Sequence, residues 1–189
     1  FTGLSIEVLP VPPSLTGYGT PTVDYTKGTT ISTNSPIATG DAATAWTVSP
    51  TLPTGLAFST STGFITGTPT VLSVQYVAYS VTATNKGGSS SYNVRLKVID
   101  KPPVLTKYLL GTDAALVYDI HGSASNALPT NTPVQGTNGG TPTQYRVSPA
   151  LPAGVTLSSS TGAITGQPTA VLARTSFSVT AGNSGGSST

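Results

Sequence analysis

The chain repeats itself once at a spacing close to one hundred residues, and this feature constrains its fold more than any other. The block at residues 48–70 contains SPTLPTG and STGFITGTPT, and it returns 99 residues later, at residues 147–169, as SPALPAG and STGAITGQPT. A second block, VTATNKGGSS at residues 81–90, returns 98 residues later as VTAGNSGGSS at residues 179–188. A period of this length indicates two copies of a whole domain, since solenoid units are only about 20–50 residues long.

Each copy has the pattern of short β-strands. Apolar and polar side chains alternate along residues 76–84, 92–98 and 175–181, and this period of two is typical of strands with one buried face. Glycine pairs between such runs favour tight turns, and no stretch shows helical periodicity over three turns. The sequence therefore predicts an all-β protein made of two antiparallel β-sandwiches of about seven strands each. Ten residues of the alternating runs and repeated blocks are expected to be buried: Ile65, Val77, Tyr79, Val81, Val94, Leu96, Val98, Ile164, Phe177 and Val179.

The repeated motifs also carry a family resemblance. The patterns S-P-x-L-P-x-G-[LV], S-T-G-x-I-T-G-x-P-T and V-T-A-x-N-x-G-G-S-S resemble the putative-Ig repeats of large bacterial surface proteins, which are close to the cadherin-like domains of dystroglycan type. The resemblance implies tandem immunoglobulin-like sandwiches in an extracellular, cell-surface protein, without enzymatic activity. Calcium-binding relatives carry acidic clusters at their domain junctions, whereas this chain has only Asp100 beside Pro102-Pro103 and no acidic residue beside Pro12-Pro13.

The composition argues against several classes of function. Charged residues make up 7% of the chain and the formal net charge is +2, which does not provide the basic stripe that a nucleic-acid partner requires. With one histidine, six carboxylates and no cysteine, the chain has few groups from which to build a catalytic or metal site. The chain has no run of about 18 apolar residues, so the sequence does not predict insertion into a membrane. We expect no enzyme, no cofactor and no metal site.

A few individual residues have more than one interpretation. His121 is expected to be a surface or turn residue, because the sequence indicates no catalytic Ser–His–Asp geometry around this single histidine. Trp46, at the position of Tyr145 in the other copy, is expected to pack in the core, with a carbohydrate platform as the alternative. Four aspartates in loops rich in Thr and Gly are expected to form turns, with cation binding as the alternative: Asp24, Asp41, Asp113 and Asp119.

The two ends are out of phase with the repeat. Residues 1–8, followed by Pro12-Pro13, are similar to residues 92–98, followed by Pro102-Pro103, and no such strand follows the second copy within the chain. Leu4, Ile6 and Val8 take the positions of the last three apolar residues of the first copy. The pattern predicts a donor strand at residues 1–11, an Ig-like domain at residues 12–101 and a second Ig-like domain, lacking its last strand, at residues 102–189.

Two main hypotheses for function follow from this phase. In the first, the chain is the structural subunit of an extracellular, pilus-like filament. Leu4, Ile6 and Val8 of one subunit then complete the second sandwich of the next, beside Phe177 and Val179, and the copies polymerise head to tail by donor-strand exchange. In the second, the chain is a stalk fragment of a large multi-repeat adhesin. A third hypothesis is a carbohydrate-binding module, and none of the three identifies a ligand.

Overall fold

A computed structural model describes residues 3–108 and 128–189, and it contains β-strands and no helix in these two ranges. The chain divides into two compact units, Phe1–Ile99 and Asp100–Thr189. The strands of unit 1 are β1 (Ser14–Tyr18), β2 (Thr22–Thr26), β3 (Pro36–Thr39), β4 (Ala45–Ser49), β5 (Leu56–Phe58), β6 (Ile65–Gly67), β7 (Ser73–Asn85) and β8 (Gly88–Ile99). The strands described in unit 2 are β9 (Leu105–Tyr108), β10 (Leu128–Asn131), β11 (Pro133–Gln135), β12 (Gln144–Ser148), β13 (Val155–Leu157), β14 (Ile164–Gly166), β15 (Ser178–Asn183) and β16 (Gly186–Ser188).

The main sheet of unit 1 has the order β2-β8-β7-β4, and the pairs β1-β3 and β5-β6 contribute to the same core. The long hairpin β7–β8 forms because both strands alternate apolar and polar residues, with glycine at the turn. One part of the prediction is wrong: the sandwich is not wholly antiparallel, since β2 runs parallel to β8, with Thr22 opposite Arg95 and Thr26 opposite Ile99. Periodicity along a strand fixes which face is buried but does not determine the neighbour's direction.

The core of unit 1 lies where the alternating pattern predicts it. Six of the seven residues of this unit that were expected to be buried are less than 5% exposed: Ile65, Tyr79, Val81, Val94, Leu96 and Val98. The seventh, Val77, is partly buried and packs against the same cluster. Its position beside an irregularity in the register between β7 and β8 accounts for the difference.

In the described residues of unit 2, the sheet β12-β15-β16 corresponds to β4-β7-β8 of unit 1. The described strands form the sheets β12-β15-β16, β10-β14-β13 and β11-β9. Three predictions of burial are wrong here, because Ile164, Phe177 and Val179 are only partly buried. The alternating run at residues 175–181 also becomes a strand only from Ser178. The physical reason is that β16 pairs with β15 only from Ala181 onward, so no described strand covers the earlier residues as β8 covers β7.

The two units share further details outside the sheets. In unit 1 the Tyr18 hydroxyl donates to the Gly63 carbonyl at 2.6 Å, and in unit 2 the Tyr108 hydroxyl donates to the Gly162 carbonyl at 3.0 Å. Burial raises the pKa of both phenols, that of Tyr108 to about 12. These hydrogen bonds tie the first strand of each unit to the turn of the S-T-G motif, so the first repeated block has the same internal geometry in the two copies.

Candidate functional site

In each unit, the segment that precedes the first strand is held by the turn of the last hairpin. We name it the incoming segment, residues 10–13 in unit 1 and 100–104 in unit 2. In unit 1 this turn comprises residues 85–88, which we name the clasp. The side-chain amide of Asn85 donates to the Val11 carbonyl at 2.8 Å, while its oxygen accepts from the backbone N–H groups of Gly87 and Gly88. Asn85 is 6% exposed. A single buried side chain therefore closes the turn and holds the incoming segment at once.

Two further hydrogen bonds hold this end of unit 1, one in the segment before β1 and one within β1 itself. The Val11 N–H donates to the Asp41 carboxylate at 2.8 Å, and the Leu15 N–H donates to the Ser90 hydroxyl at 3.0 Å. The Pro10 carbonyl lies so close to Gly87 that a Cβ there would stand 1.9 Å from it. Only glycine fits at this position, since any side chain would collide with backbone.

Unit 2 has the same clasp at residues 183–186. The amide of Asn183 donates to the Lys101 carbonyl at 2.6 Å, and its oxygen accepts from the Gly185 N–H at 2.8 Å. The Asp100 N–H donates to the Ser184 hydroxyl, and a Cβ on Gly185 would stand 1.9 Å from the Asp100 carbonyl. The incoming segments of the two units therefore make corresponding contacts, although their side chains differ.

The first proline of each Pro pair, Pro12 or Pro102, lies against the last glycine of the clasp, and the second proline is buried. Pro13 and Pro103 are both buried, and the Leu105 N–H donates to the Ser188 hydroxyl as Leu15 does to Ser90. Proline fixes its own φ and favours an extended conformation in the residue before it. The Pro pairs thus stiffen the incoming segments where the clasps grip them.

The residues predicted to form a subunit interface lie in two places, one exposed and one partly buried. Residues 3–9 form no strand, and the side chains of Leu4, Ile6 and Val8 are 76–89% exposed. In unit 2, Phe177 and Val179 are partly buried, and Val179 pairs with Val147 on one side. Nothing described tests whether these two sets meet in an assembly, so the interface stays a prediction.

Val81 of unit 1, the equivalent of Val179, has strand partners on both sides, whereas Val179 has one among the described strands. Val81 is flanked on both sides, by Val48 of β4 and by Tyr92 of β8, and is fully buried. Val179, in the part of the chain that the structure describes, has a strand partner only on the β12 side. Among the described strands, the early part of β15 is therefore paired on one side only, and its apolar residues Phe177 and Val179 are partly exposed.

A charged cluster lies on the exposed face of the main sheet of unit 1. The Asp24 carboxylate accepts a hydrogen bond from the Tyr76 hydroxyl and lies 3.1 Å from Lys97 Nζ. The Tyr76 ring stands under Lys97 Nζ at 4.7 Å and under Arg95 at 5.8 Å. The hydrogen bond from Tyr76, and after it Lys97, lowers the pKa of Asp24 against an opposing effect of burial. The cluster ties β2, β7 and β8 together.

The lowered pKa of Asp24 predicts a pH-dependent contribution to stability. A carboxyl group with a lower pKa in the folded state stabilises the fold above its ordinary pKa, and this contribution disappears as the pH falls through the folded value. We expect Asp24→Asn to lower the urea midpoint of unit 1 slightly at pH 7, and we expect the difference to be smaller at pH 3, below the ordinary Asp pKa of about 3.9. A difference of the same size at both pH values would show that hydrogen-bond geometry, not charge, is responsible.

The other residues considered from the sequence do not form a site together. Trp46 is 7% exposed and its ring packs on Gly63, which confirms its expected place in the core. Asp41 accepts from the incoming segment, while Asp113, Asp119 and His121 lie outside the described residues. Among residues 3–108 and 128–189, no three His, Asp or Glu side chains come together as ligands for a metal ion. No helix in these residues is long and apolar enough to cross a membrane.

The clasps were not predicted from the sequence. The glycine pairs were interpreted as turn residues, and no prediction was made for the Asn side chains. The available signal was the repeated N-x-G-G pattern together with the repeated Pro pair, but these elements meet across 74 residues in unit 1. The pattern shows that both elements recur, and only the fold shows that one holds the other.

The fold and the paired clasps define a tandem of immunoglobulin-like domains. The family model described as "Putative Ig domain" matches residues 8–99 and again residues 103–189. The chain belongs to this family, which confirms the resemblance, the all-β class and the tandem arrangement. Ig-like repeats are typical of surface proteins and are generally non-enzymatic structural or adhesion domains.

Three solved structures that resemble the chain are distant from it in sequence. Extracellular domains 3–5 of Drosophila OTK share 18% identity at a TM-score of 0.50, over 97% of this chain and 60% of that one. A SusE-like, surface-located polysaccharide-binding protein of Bacteroides thetaiotaomicron, BT4661, shares 20% at a TM-score of 0.41, over 85% and 29%. Domains EC1-2 of human protocadherin-24 share 11% at 0.43, over 85% and 78%. At these identities the likeness shows the fold alone. No curated protein matches the chain significantly.

Proposed function

We propose that the chain is a pair of consecutive spacer domains in the stalk of a multi-repeat cell-surface protein. The observation that carries this proposal is the recurrence of the clasp. Both units grip the segment before them through an Asn side chain, at 2.8 Å in unit 1 and 2.6 Å in unit 2. A contact that uses backbone atoms of the incoming segment suits a domain that follows another domain, whatever that domain's surface. The low charge and the Ig-like fold fit a structural role outside the cell.

An antibody against the chain tests this proposal on the native source. We expect a product much larger than the 18.9 kDa of the chain, and we expect protease added to intact cells to remove it. An intracellular protein from the same cells is the control for integrity. Protection of the product until the cells are lysed would contradict a surface stalk.

The second candidate is the filament subunit, which two exposed features favour. Leu4, Ile6 and Val8 alternate along a segment in no strand, and among the described strands the early part of β15, at Val179 and next to Phe177, pairs only with β12. A strand added there would gain about 1.5–3 kcal/mol for each of the three apolar side chains before entropic costs. Backbone hydrogen bonds would add roughly 0.5–1.5 kcal/mol each.

The filament hypothesis predicts a sharp difference between two neighbouring substitutions. Ile6→Asp should abolish concentration-dependent growth of the purified chain, because the alternation places Ile6 in the accepting core, where an unpaired charge is very costly. Ser5→Asp introduces the same charge at the outward position and should leave growth intact. Light scattering and electron microscopy measure the result. A wild-type chain that stays monomeric at every concentration would rule out exchange and leave the stalk hypothesis.

A further inference from the structure

We propose that the clasp and the strand after it form the line along which each repeat carries a pulling force. This inference rests on the proposed function, because tension arises only where the repeats connect a cell surface to something else. In unit 1 the line begins at the incoming segment, crosses the Asn85 side chain and continues along β8 to Ile99. It bypasses β2 to β6, the five strands between β1 and the hairpin.

The hydrogen bonds that anchor the start of unit 1 lie at the beginning of β8. The Val11 carbonyl is held by Asn85, at the turn where β8 begins, and the Leu15 N–H is held by Ser90, within β8 itself. A pull on the segment before residue 10 is therefore resisted first at the start of β8. The first strand of the unit, β1, begins only at Ser14, so it lies downstream of the main anchor.

β8 leads directly into the segment that the second clasp holds. β8 is 12 residues long and spans roughly 40 Å at about 3.3 Å per residue. It is flanked by β7 on one side and β2 on the other. Directly after Ile99, the backbone of Asp100 and Lys101 is held by Ser184 and Asn183 of the second clasp. One uninterrupted stretch of backbone therefore connects the first clasp to the second.

Each clasp contacts backbone carbonyls, so the side chains of the incoming segment can differ between the two units. Pro10-Val11 and Asp100-Lys101 have no side chain in common, yet their carbonyls meet the same glycine and asparagine atoms. Recognition through backbone carbonyls lets one design serve every junction in an array. Any residue can occupy the gripped positions, provided that the Pro pair follows to keep the segment extended.

Asparagine supplies a chemistry that aspartate cannot replace at neutral pH. The oxygen of Asn85 accepts from Gly87 and Gly88 to close the turn, and its NH₂ group donates to Val11. Asp at this position keeps the acceptor but loses the donor, and it sets a carboxylate against a carbonyl oxygen. Asn85→Asp therefore separates a role in the turn, which it preserves, from the grip on the segment, which it removes.

Force spectroscopy on the full 189-residue chain, tethered at its two ends, tests the inference. At constant force we expect Asn85→Ala and Asn85→Asp each to accelerate one of the two unfolding events roughly tenfold, as loss of about 1.4 kcal/mol would. Asn183→Ala should accelerate the other event, which assigns each event to its unit. Asn93→Ala, on the exposed face of β8, is the matched control and should change neither.

Two results would overturn the inference. If Asn85→Asp unfolds under force like the wild type, the side chain only closes the turn. If both Asn85 variants lower stability in urea but leave the rate under force unchanged, the clasp stabilises the fold without carrying load. Neither result depends on where the protein is located, so protease accessibility on intact cells still tests the stalk proposal separately.

Discussion

Leu96→Ala is expected to lower the free energy of unfolding of unit 1 by about 2–5 kcal/mol. Leu96 is fully buried in β8, between Val23 of β2 and Val77 of β7. Removing its side chain leaves a cavity under the central strand, where neighbours on both sides are held by ladder hydrogen bonds and cannot close it. Urea unfolding followed by Trp46 fluorescence measures the effect, because the single tryptophan of the chain lies in unit 1.

Leu4→Ala is the matched control for this prediction. Leu4 is 87% exposed, so the same truncation should change the stability of unit 1 by no more than about 0.5 kcal/mol. Equal losses in the two variants would contradict the assignment of Leu96 to the core. A loss confined to Leu4→Ala would place the core of unit 1 elsewhere.

Gly55→Ala should destabilise unit 1 by more than about 2 kcal/mol, for two reasons that act together. Gly55 has a φ of +93°, a region that costs other residues roughly 1–2 kcal/mol. A Cβ there would also stand 2.0 Å from the Thr68 carbonyl oxygen. This contact would push apart two loops that are joined by the hydrogen bond from the Thr68 N–H to the Gly55 carbonyl.

Gly28→Ala separates these two causes. Gly28 has a φ of +73°, but no atom lies within 4 Å of the position of its Cβ. Its substitution should therefore cost only the conformational part, about 1–2 kcal/mol. Trp46 fluorescence in urea measures both variants. Equal losses would mean that the close approach of the two loops does not constrain residue 55.

The sequence predicted the core of unit 1 well and its topology poorly. Alternation identified Val81, Val94 and Leu96 as buried because the side-chain period of a strand depends only on local sequence. The parallel pairing of β2 with β8 was missed, because its partners stand 73 residues apart, as Thr22 and Arg95 do. Local periodicity carries no information about which distant strand becomes the neighbour.

The burial of unit 2 was overestimated for a related reason. Phe177 and Val179 have the same local pattern as Val77 to Val81, and that pattern alone predicted a buried strand. Burial, however, depends on what lies alongside, and the described part of unit 2 offers β15 a partner on that side only from Ala181. The clasps were missed for a similar reason. The acceptors of Asn85 and Asn183, at Val11 and Lys101, are distant in sequence and come close only in the fold.

The parallel pairing of β2 with β8 has a consequence for how the protein is synthesised. β2 leaves the ribosome early, but its partner residues 95–99 follow 73 residues later, which at about 5–20 residues per second takes roughly 4 to 15 s. During that interval one edge of β2 stays unpaired, and each domain can complete its main sheet only when nearly all of it has been translated. Non-local pairing of this kind is slow to form. Unit 1 therefore closes its main sheet late in synthesis and folds as a whole.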